Sequence, residues 1–266
     1  MRKVILITGV SSGFGKAIAL ELTRQGHVVY GTSRRDGIKT EEERLLKADV
    51  TRASDVEQTV EEIVAQEGRI DVLINNAGFG LAGAIEDYNE EEAHLEIETN
   101  LLGAYRCSKS VLPHMRRQGA GTIITISSIA GLFGIPFQGF YSASKSGLEG
   151  LMQALRYEVS PYGVNVVVVN PGDFNTGFTV NRKMVANTRE SDYKDRFLTT
   201  LEVIEKDEGE GLRPEILAKK VASIVKKRNP KPRYIVASLD QKLAVVLSKI
   251  LPSRLFFRII GSHYKV

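Results

Sequence analysis

The chain has 266 residues, 42% of them hydrophobic and 26% charged, which suits one large α/β domain with ample core rather than two domains. Its single cysteine, Cys107, excludes an intrachain disulfide, and its four scattered histidines lack metal-ligand spacing, so no metal is expected. The net charge of +4 is uneven: residues 211–266 hold 13 Lys/Arg against two Asp/Glu, a balance of +11, while residues 1–210 carry −7.

From the N-terminus, β-branched runs predict strands over 3–8, 27–32, 45–49, 70–74, 121–127, 163–169 and 233–236. The first run is too short for a leader and passes directly into a glycine-rich turn. Between the strands, helical patterns are predicted near 13–25, 53–66, 88–117, 141–159 and 214–228. Such alternation implies repeated βαβ units, a parallel sheet covered on both faces, in a single domain over 1–266. The run from Val164 to Val169, nearly all valine, reads as a strand buried on both sides. Residues 173–212 interrupt the rhythm with polar and charged residues. Their place after a strand's carboxyl end predicts a lid over the site. Residues 238–266 read as a basic amphipathic segment. No uninterrupted apolar stretch is long enough to span a bilayer, and with the lone cysteine this predicts a cytoplasmic protein.

Two motifs carry chemistry. Thr8-Gly9-Val10-Ser11-Ser12-Gly13-Phe14-Gly15 follows the first strand and opens the first helix. Glycines there allow a tight turn and close approach to phosphate, and the helix amides face an anion. A nucleoside-triphosphate P-loop is excluded: Val10 holds the leading glycine position and Ala17 replaces Ser/Thr. Further on, Tyr141 and Lys145 lie four residues apart, on one helical face, with Ser128 thirteen residues upstream of the tyrosine. An ammonium held beside the phenol favours tyrosinate and so is expected to lower its pKa toward neutrality. Ser128 would orient a substrate oxygen. Such a group of residues suits proton exchange at a carbonyl or alcohol.

Together, Thr8–Gly15, Asn75-Asn76-Ala77-Gly78, Ser128, Tyr141/Lys145 and Pro171-Gly172 resemble the short-chain dehydrogenase/reductase family in order and spacing, over residues 3 to about 176. The resemblance implies a doubly wound Rossmann-type α/β fold, with Gly9, Ser11, Ser12, Gly13, Phe14 and Gly15 around the cofactor phosphates. It also implies that Asp49, followed by Val50, meets the adenine, that Asn76 braces neighbouring strands, and that Ala77 and Gly78 line the cofactor. Pro171, Gly172 and Thr176 would contact the nicotinamide carboxamide. Lys145 would hold the nicotinamide ribose and link through water to Asn100, the helix-embedded member of a proton relay. At the end of the second strand, where an enzyme preferring NAD places a carboxylate, this chain has Ser33 and then Arg34, with Asp36 two or three residues too late. A guanidinium there suits a 2′-phosphate, so NADP(H) is the expected cofactor.

Around this site the run Leu132–Phe137, with Phe140, Phe174 and Phe178, predicts an apolar wall with few charges and a lipophilic substrate. The chain is similar to the branch acting on hydroxysteroids, retinoids and lipid ketones. Arg182, Lys183 and Arg189 leave open an acidic headgroup or a thioester carrier, and hence a 3-oxoacyl-thioester reductase. A cofactor-sensing binding protein is the non-enzymatic alternative. Leu239, Leu243, Val246, Leu247, Ile250 and Leu251 recur at helical spacing among lysines, which fits docking on the domain, a partner subunit or a membrane surface. Family members pair through helices near 88–117 and 141–159, implying a homodimer or homotetramer. No nucleic-acid motif accompanies the basic tail, so nucleic acid is not expected as a partner.

Overall fold

The computed structural model describes residues 1–34, 44–176 and 182–266. Among these, seven strands form one sheet: β1 (Val4–Thr8), β2 (Val28–Ser33), β3 (Arg44–Lys47), β4 (Val72–Asn75), β5 (Gly121–Ile126), β6 (Val164–Pro171) and β7 (Arg233–Val236). Their order is β3-β2-β1-β4-β5-β6-β7, with every adjacent pair parallel. The helices are α1 (Gly13–Arg24), α2 (Ala53–Glu67), α3 (Glu90–Ile97), α4 (Gly103–Gln118) and α5 (Gly139–Val159), then α6 (Lys194–Gly209), α7 (Pro214–Val225), α8 (Leu239–Ile250) and α9 (Ser253–Tyr264).

Parallel neighbours require crossovers, and the crossing helices bury both faces of the sheet. Successive side chains of a strand face opposite sides. Thus Ile5 and Ile7 of β1 join one apolar cluster with Ile18 and Leu22 of α1 and Leu217 of α7. Val4 and Leu6 join the other, with Val60 and Ile63 of α2 and Val111 of α4. The strand and helix pattern expected from the sequence is recovered, with boundaries moved by a few residues at most elements.

Three elements differ from expectation. The helix expected over 88–117 is α3, a π-helical turn at Glu98–Leu102, and α4. The 173–212 excursion contains the 16-residue helix α6, and Lys183–Met184 pairs in parallel with Leu81–Ala82. In α6, Phe197, Thr200, Ile204 and Glu208 are the buried face; two polar residues on that face hid the helix from a hydrophobicity reading. The C-terminal segment is two helices, because Pro252 disfavours helical geometry at Leu251, which is extended, and α9 starts after it at Ser253.

Candidate active site

The sheet order reverses between β1 and β4, and the loops leaving their carboxyl ends part there, as in other open α/β sheets that bind ligands. After β1, Gly9 turns at φ +73°, and the amides of Gly9 and Val10 both bond Thr32 O, at 3.0 and 3.1 Å. Ser12, the N-cap of α1, is extended and makes no side-chain bond to the helix. The first amides of α1 therefore lack a side-chain cap, and Ser11 to Phe14 border a cavity. At Gly15 a Cβ would overlap the Gly9 carbonyl oxygen and lie 2.6 Å from Asn76 Nδ2. Uncapped amides, a positive helix end and a backbone kept bare by glycine fit the diphosphate of a dinucleotide.

Asn76 holds this turn against the β4 loop. Its Nδ2 donates to Thr8 O (2.9 Å) and Gly9 O (3.0 Å), while its own amide and that of Ala77 donate to Thr8 Oγ1.

The cavity, of about 680 Å³, runs from the glycine turn to Tyr141. Gly9, Ser11, Ser12, Gly13 and Phe14 line one part, with Arg34 after β2 and Val50 after β3. Ala77 and Gly78 enter from the β4 loop, and Pro171, Gly172 and Thr176 from the β6 loop. Ser128, Tyr141 and Lys145 complete this set. Gly15, Asp49 and Asn100 stand behind the lining. Asp49 Oδ1 instead accepts from Thr51 N (2.9 Å) and Thr51 Oγ1 (2.8 Å), turning the chain toward α2. Arg35, Asp36 and Phe178 lie outside the described residues, as does the side chain of Arg189.

Asn100 is buried in the π-helical turn. Its amide donates to Phe79 O (2.8 Å) and Ser144 Oγ (3.1 Å) and accepts from Phe79 N (3.0 Å). An added Cβ on Gly78 would lie 2.9 Å from Asn100 Oδ1 and 3.6 Å from Lys145 Nζ, which places the three side by side. A π turn re-aims one side chain out of the helical register, which is what brings Asn100 to this loop.

Ser128 hydrogen-bonds the Tyr141 hydroxyl and accepts from Ala130 N at 3.1 Å. The neighbouring Ser127 hydroxyl donates to Lys145 O (3.5 Å), so Ser128 is the serine beside the phenol. Lys145 Nζ donates to Ile126 O (3.0 Å) and lies 5.6 Å from the centre of the Tyr141 ring. Tyr141 keeps part of its surface open to the cavity. Crowding by protein nonetheless pushes its phenol up to about 12, against the Ser128 hydrogen bond. Burial also pulls Lys145 down to about 8, opposed by Glu96 and Glu149. The expected lowering of the phenol is therefore reversed: desolvation raises it, Glu208 and Glu96 add to the rise, and the Ser128 hydrogen bond and Arg182 only partly oppose it. The pH response follows from the sign. Lys145 is cationic below about 8 and loses its charge above it, so kcat/KM for carbonyl reduction should fall as pH rises through that value. A profile flat well beyond it would show that Lys145 stays charged.

Two acids behind the lysine escaped the sequence reading. Glu96 is fully buried; its Oε1 accepts from Leu81 N (3.1 Å), and burial pushes it up to about 7. Glu149 accepts from Asn170 Nδ2 (2.6 Å) and Arg233 Nη2 (2.5 Å), and Asn170 also donates to Ser128 O (2.9 Å). The signal for both was spacing. Glu149 follows Lys145 by four residues within α5 and so shares its helical face, while Glu96 precedes Asn100 by four across the π turn.

The substrate end departs from the apolar wall expected. Of the apolar residues named for it, Ile135 and Phe174 line the cavity. Phe133 packs on Phe256 (5.4 Å between ring centres), Phe137 on Phe197 (5.5 Å) and Phe140 on Tyr88 (4.8 Å). These rings dock α9, α6 and the chain before α3. Leu81, Leu95, Ile129, Met184 and Ile204 add apolar lining from elsewhere in the chain, and charge enters beside it: Glu92, Asp173, Arg182, Lys183, Asp207 and Glu208 line the cavity. Arg182, named for an acidic headgroup or thioester carrier, pairs with Glu208, both side chains mostly buried. Burial, with Glu208 and Asp207 adding to it, pushes Asp173 up to about 6.

Known proteins are similar to this chain in sequence and fold. The short chain dehydrogenase family matches residues 3–186. A 3-ketodihydrosphingosine reductase of Bacteroides thetaiotaomicron is 48% identical over 265 residues, covering 99% of this chain and 98% of that protein. The crystal structure of a short-chain dehydrogenase from Streptomyces avermitilis superposes with a TM-score of 0.83 at 29% identity, covering 98% of both chains. ElxO with NADP bound gives 0.72 at 29% identity, covering 90% of this chain and 97% of that one. With Tyr141, Lys145 and Ser128 lining one cavity together with the glycine turn, the chain belongs to the short-chain dehydrogenase/reductase family and is an oxidoreductase acting on CH–OH groups.

Proposed function

We propose that this protein is an NADP(H)-dependent reductase of a long-chain lipid ketone, with a 3-oxo sphingoid base as its substrate. The whole-length likeness to a 3-ketodihydrosphingosine reductase carries the reading. The cavity supports it. A 3-oxo sphingoid base bears an ammonium beside its carbonyl, and Asp173 lines the cavity with Asp207 and Glu208, which also pair with His263 and Arg182. A cation there would also hold Asp173 ionised.

The cofactor supplies the hydride. Tyr141 holds the proton destined for the carbonyl oxygen, and Ser128 orients that oxygen. A cationic Lys145 favours the phenolate left behind, and Asn100 completes the path by which its proton is replaced. Asp49 is read as the adenine neighbour and Thr176 as the carboxamide neighbour. The 173–212 insertion covers the substrate, with α6 as its wall. Preference for NADP(H) rests on Arg34, which lines the cavity at the end of β2 where a carboxylate would otherwise take the ribose hydroxyl. Arg34→Ala should weaken NADPH binding about ten- to a hundredfold and leave NADH nearly unchanged, measured by nucleotide fluorescence titration. Equal weakening of both would remove Arg34 from 2′-phosphate recognition.

Leu101, Leu102, Tyr105, Gly147 and Leu151 frame an exposed apolar hollow between the π turn, α4 and α5, which supports a homodimer or homotetramer formed there. Among the described residues, no helix is long and apolar enough to cross a membrane.

The reading is tested by NADPH and NADH consumption with a 2-amino-3-ketone of long chain, the same ketone without its amine, a 3-oxoacyl thioester and a small polar ketone. NADPH turnover should be greatest with the aminoketone and at least about tenfold lower without the amine. Preference for the thioester would install the 3-oxoacyl reductase in its place. NADPH binding with no turnover of any would favour a sensor.

A further inference from the structure

The outer face of α8 carries four apolar side chains that the domain leaves uncovered. Leu239 is 84% exposed, Leu243 56%, Val246 52% and Ile250 68%. Their spacing, i, i+4, i+7 and i+11, sets them in one stripe along the helix. The opposite face is docked: Val245 is buried with Ile129 and Ala237, and Gln241 Nε2 donates to Asp173 Oδ2 at 2.5 Å. The helix is thus a covered wall on one side and an apolar ridge on the other. In α9, Phe256 is buried against Phe133, while Phe257 is 69% exposed and Leu255 and Ile259 are also exposed.

Positive charge flanks this surface. Lys242 and Lys249 lie beside the stripe on α8, Arg254 and Arg258 one turn apart on α9, and Lys265 at its end; all are exposed. Asp240 is the one acid in residues 239–266. A second copy of this chain seated two-fold on the stripe would set these cations against their own images. An anionic bilayer would take the α8 ridge into its acyl region and set Lys242 and Lys249, beside the ridge on the same helix, against its headgroups.

We propose that α8 and α9 form a docking surface for an anionic lipid bilayer, on which the protein sits peripherally. The same two helices border the substrate end of the cavity, α8 through Gln241 bonded to Asp173 and α9 through Tyr264. Thr200 of α6 donates to Tyr264 O at 3.0 Å and ties the cover of the site to the docked pair. The protein therefore meets the membrane with elements that wall its substrate site, and an insoluble ketone has a short route from bilayer to catalytic tyrosine. This consequence for turnover rests on the lipid-ketone reading; docking itself does not.

The test is co-sedimentation of the full chain with phosphatidylcholine vesicles, with and without phosphatidylglycerol, in low and high salt. The protein should pellet with anionic vesicles and be released by salt. Leu243→Glu/Ile250→Glu should lower the partition coefficient by about a hundredfold. NADPH binding by the variant reports that it is folded. Its kcat/KM for a short soluble ketone should match wild type while that for a vesicle-borne ketone falls. No pelleting by the wild type, or equal pelleting by the variant, overturns the proposal. Loss of a dimer in the variant by light scattering, with no vesicle binding by either form, would assign the stripe to subunit contact instead. Vesicle binding with no turnover of any lipid ketone would leave docking standing and remove only the substrate reading.

Discussion

Tyr141→Phe is expected to lower carbonyl reduction by about 10²–10⁴-fold while leaving NADPH affinity within about twofold. The phenol is the one acidic group hydrogen-bonded to Ser128 at the foot of the cavity, and Phe keeps the ring that packs there. Because burial holds this phenol near 12, it is protonated at neutral pH and stands ready to give a proton rather than to take one. The measurement is single-turnover NADPH oxidation beside a fluorescence titration, which the absence of tryptophan leaves free of energy transfer from indole. Loss of turnover together with loss of nucleotide affinity would mean that the variant disturbs the fold. Unimpaired turnover would discard Tyr141 as the acid. Stability should change little, by about 1 kcal/mol for one hydrogen bond, so Tm separates a chemical defect from a folding one.

Gly15→Ala should cause an equally large loss by a different route. The added methyl would meet the Gly9 carbonyl oxygen and the Asn76 amide that braces the turn. Neither partner is the free end of a flexible side chain. One is backbone, and the other is bonded to both Thr8 O and Gly9 O. Relief requires α1 to shift from β1 or the Asn76 bonds to break. We expect destabilisation of about 1–3 kcal/mol, read by thermal unfolding, and NADPH affinity lowered about a hundredfold or more. Wild-type affinity in a stable Gly15→Ala protein would show that the turn does not hold the diphosphate. Ala at Gly26, where the structure leaves open space around the added atom but φ is +79°, is the control for backbone strain alone.

Sheet and helix positions were readable because local periodicity reports burial. A parallel strand buried on both faces must be apolar throughout, as Val164 to Val169 are, and an amphipathic crossover must repeat near 3.6 residues. The glycine turn after β1 and the shared helical face of Tyr141 and Lys145 were equally readable, since each lies within a few residues of chain and its geometry is local. The hydroxyl partner was set by spacing to Tyr141, and the hydrogen bonds of Ser127 and Ser128 agree with it.

Contacts between distant segments decided the rest. The aromatic run from Phe133 to Phe140 looked like a substrate wall, yet its rings meet Phe256, Phe197 and Tyr88, partners that no local pattern announces. The same docking carries Glu208 and Asp207 of α6 into the cavity and places Glu96 behind Lys145. The sign of the tyrosine shift changed for a related reason. A four-residue spacing reveals that a lysine is near, but the desolvation felt by both groups depends on every segment packed around them. Local sequence thus determined the elements of this protein and pointed to the groups proposed to react. Tertiary packing alone decided their electrostatics and the walls of the substrate site, because burial is a property of the whole chain.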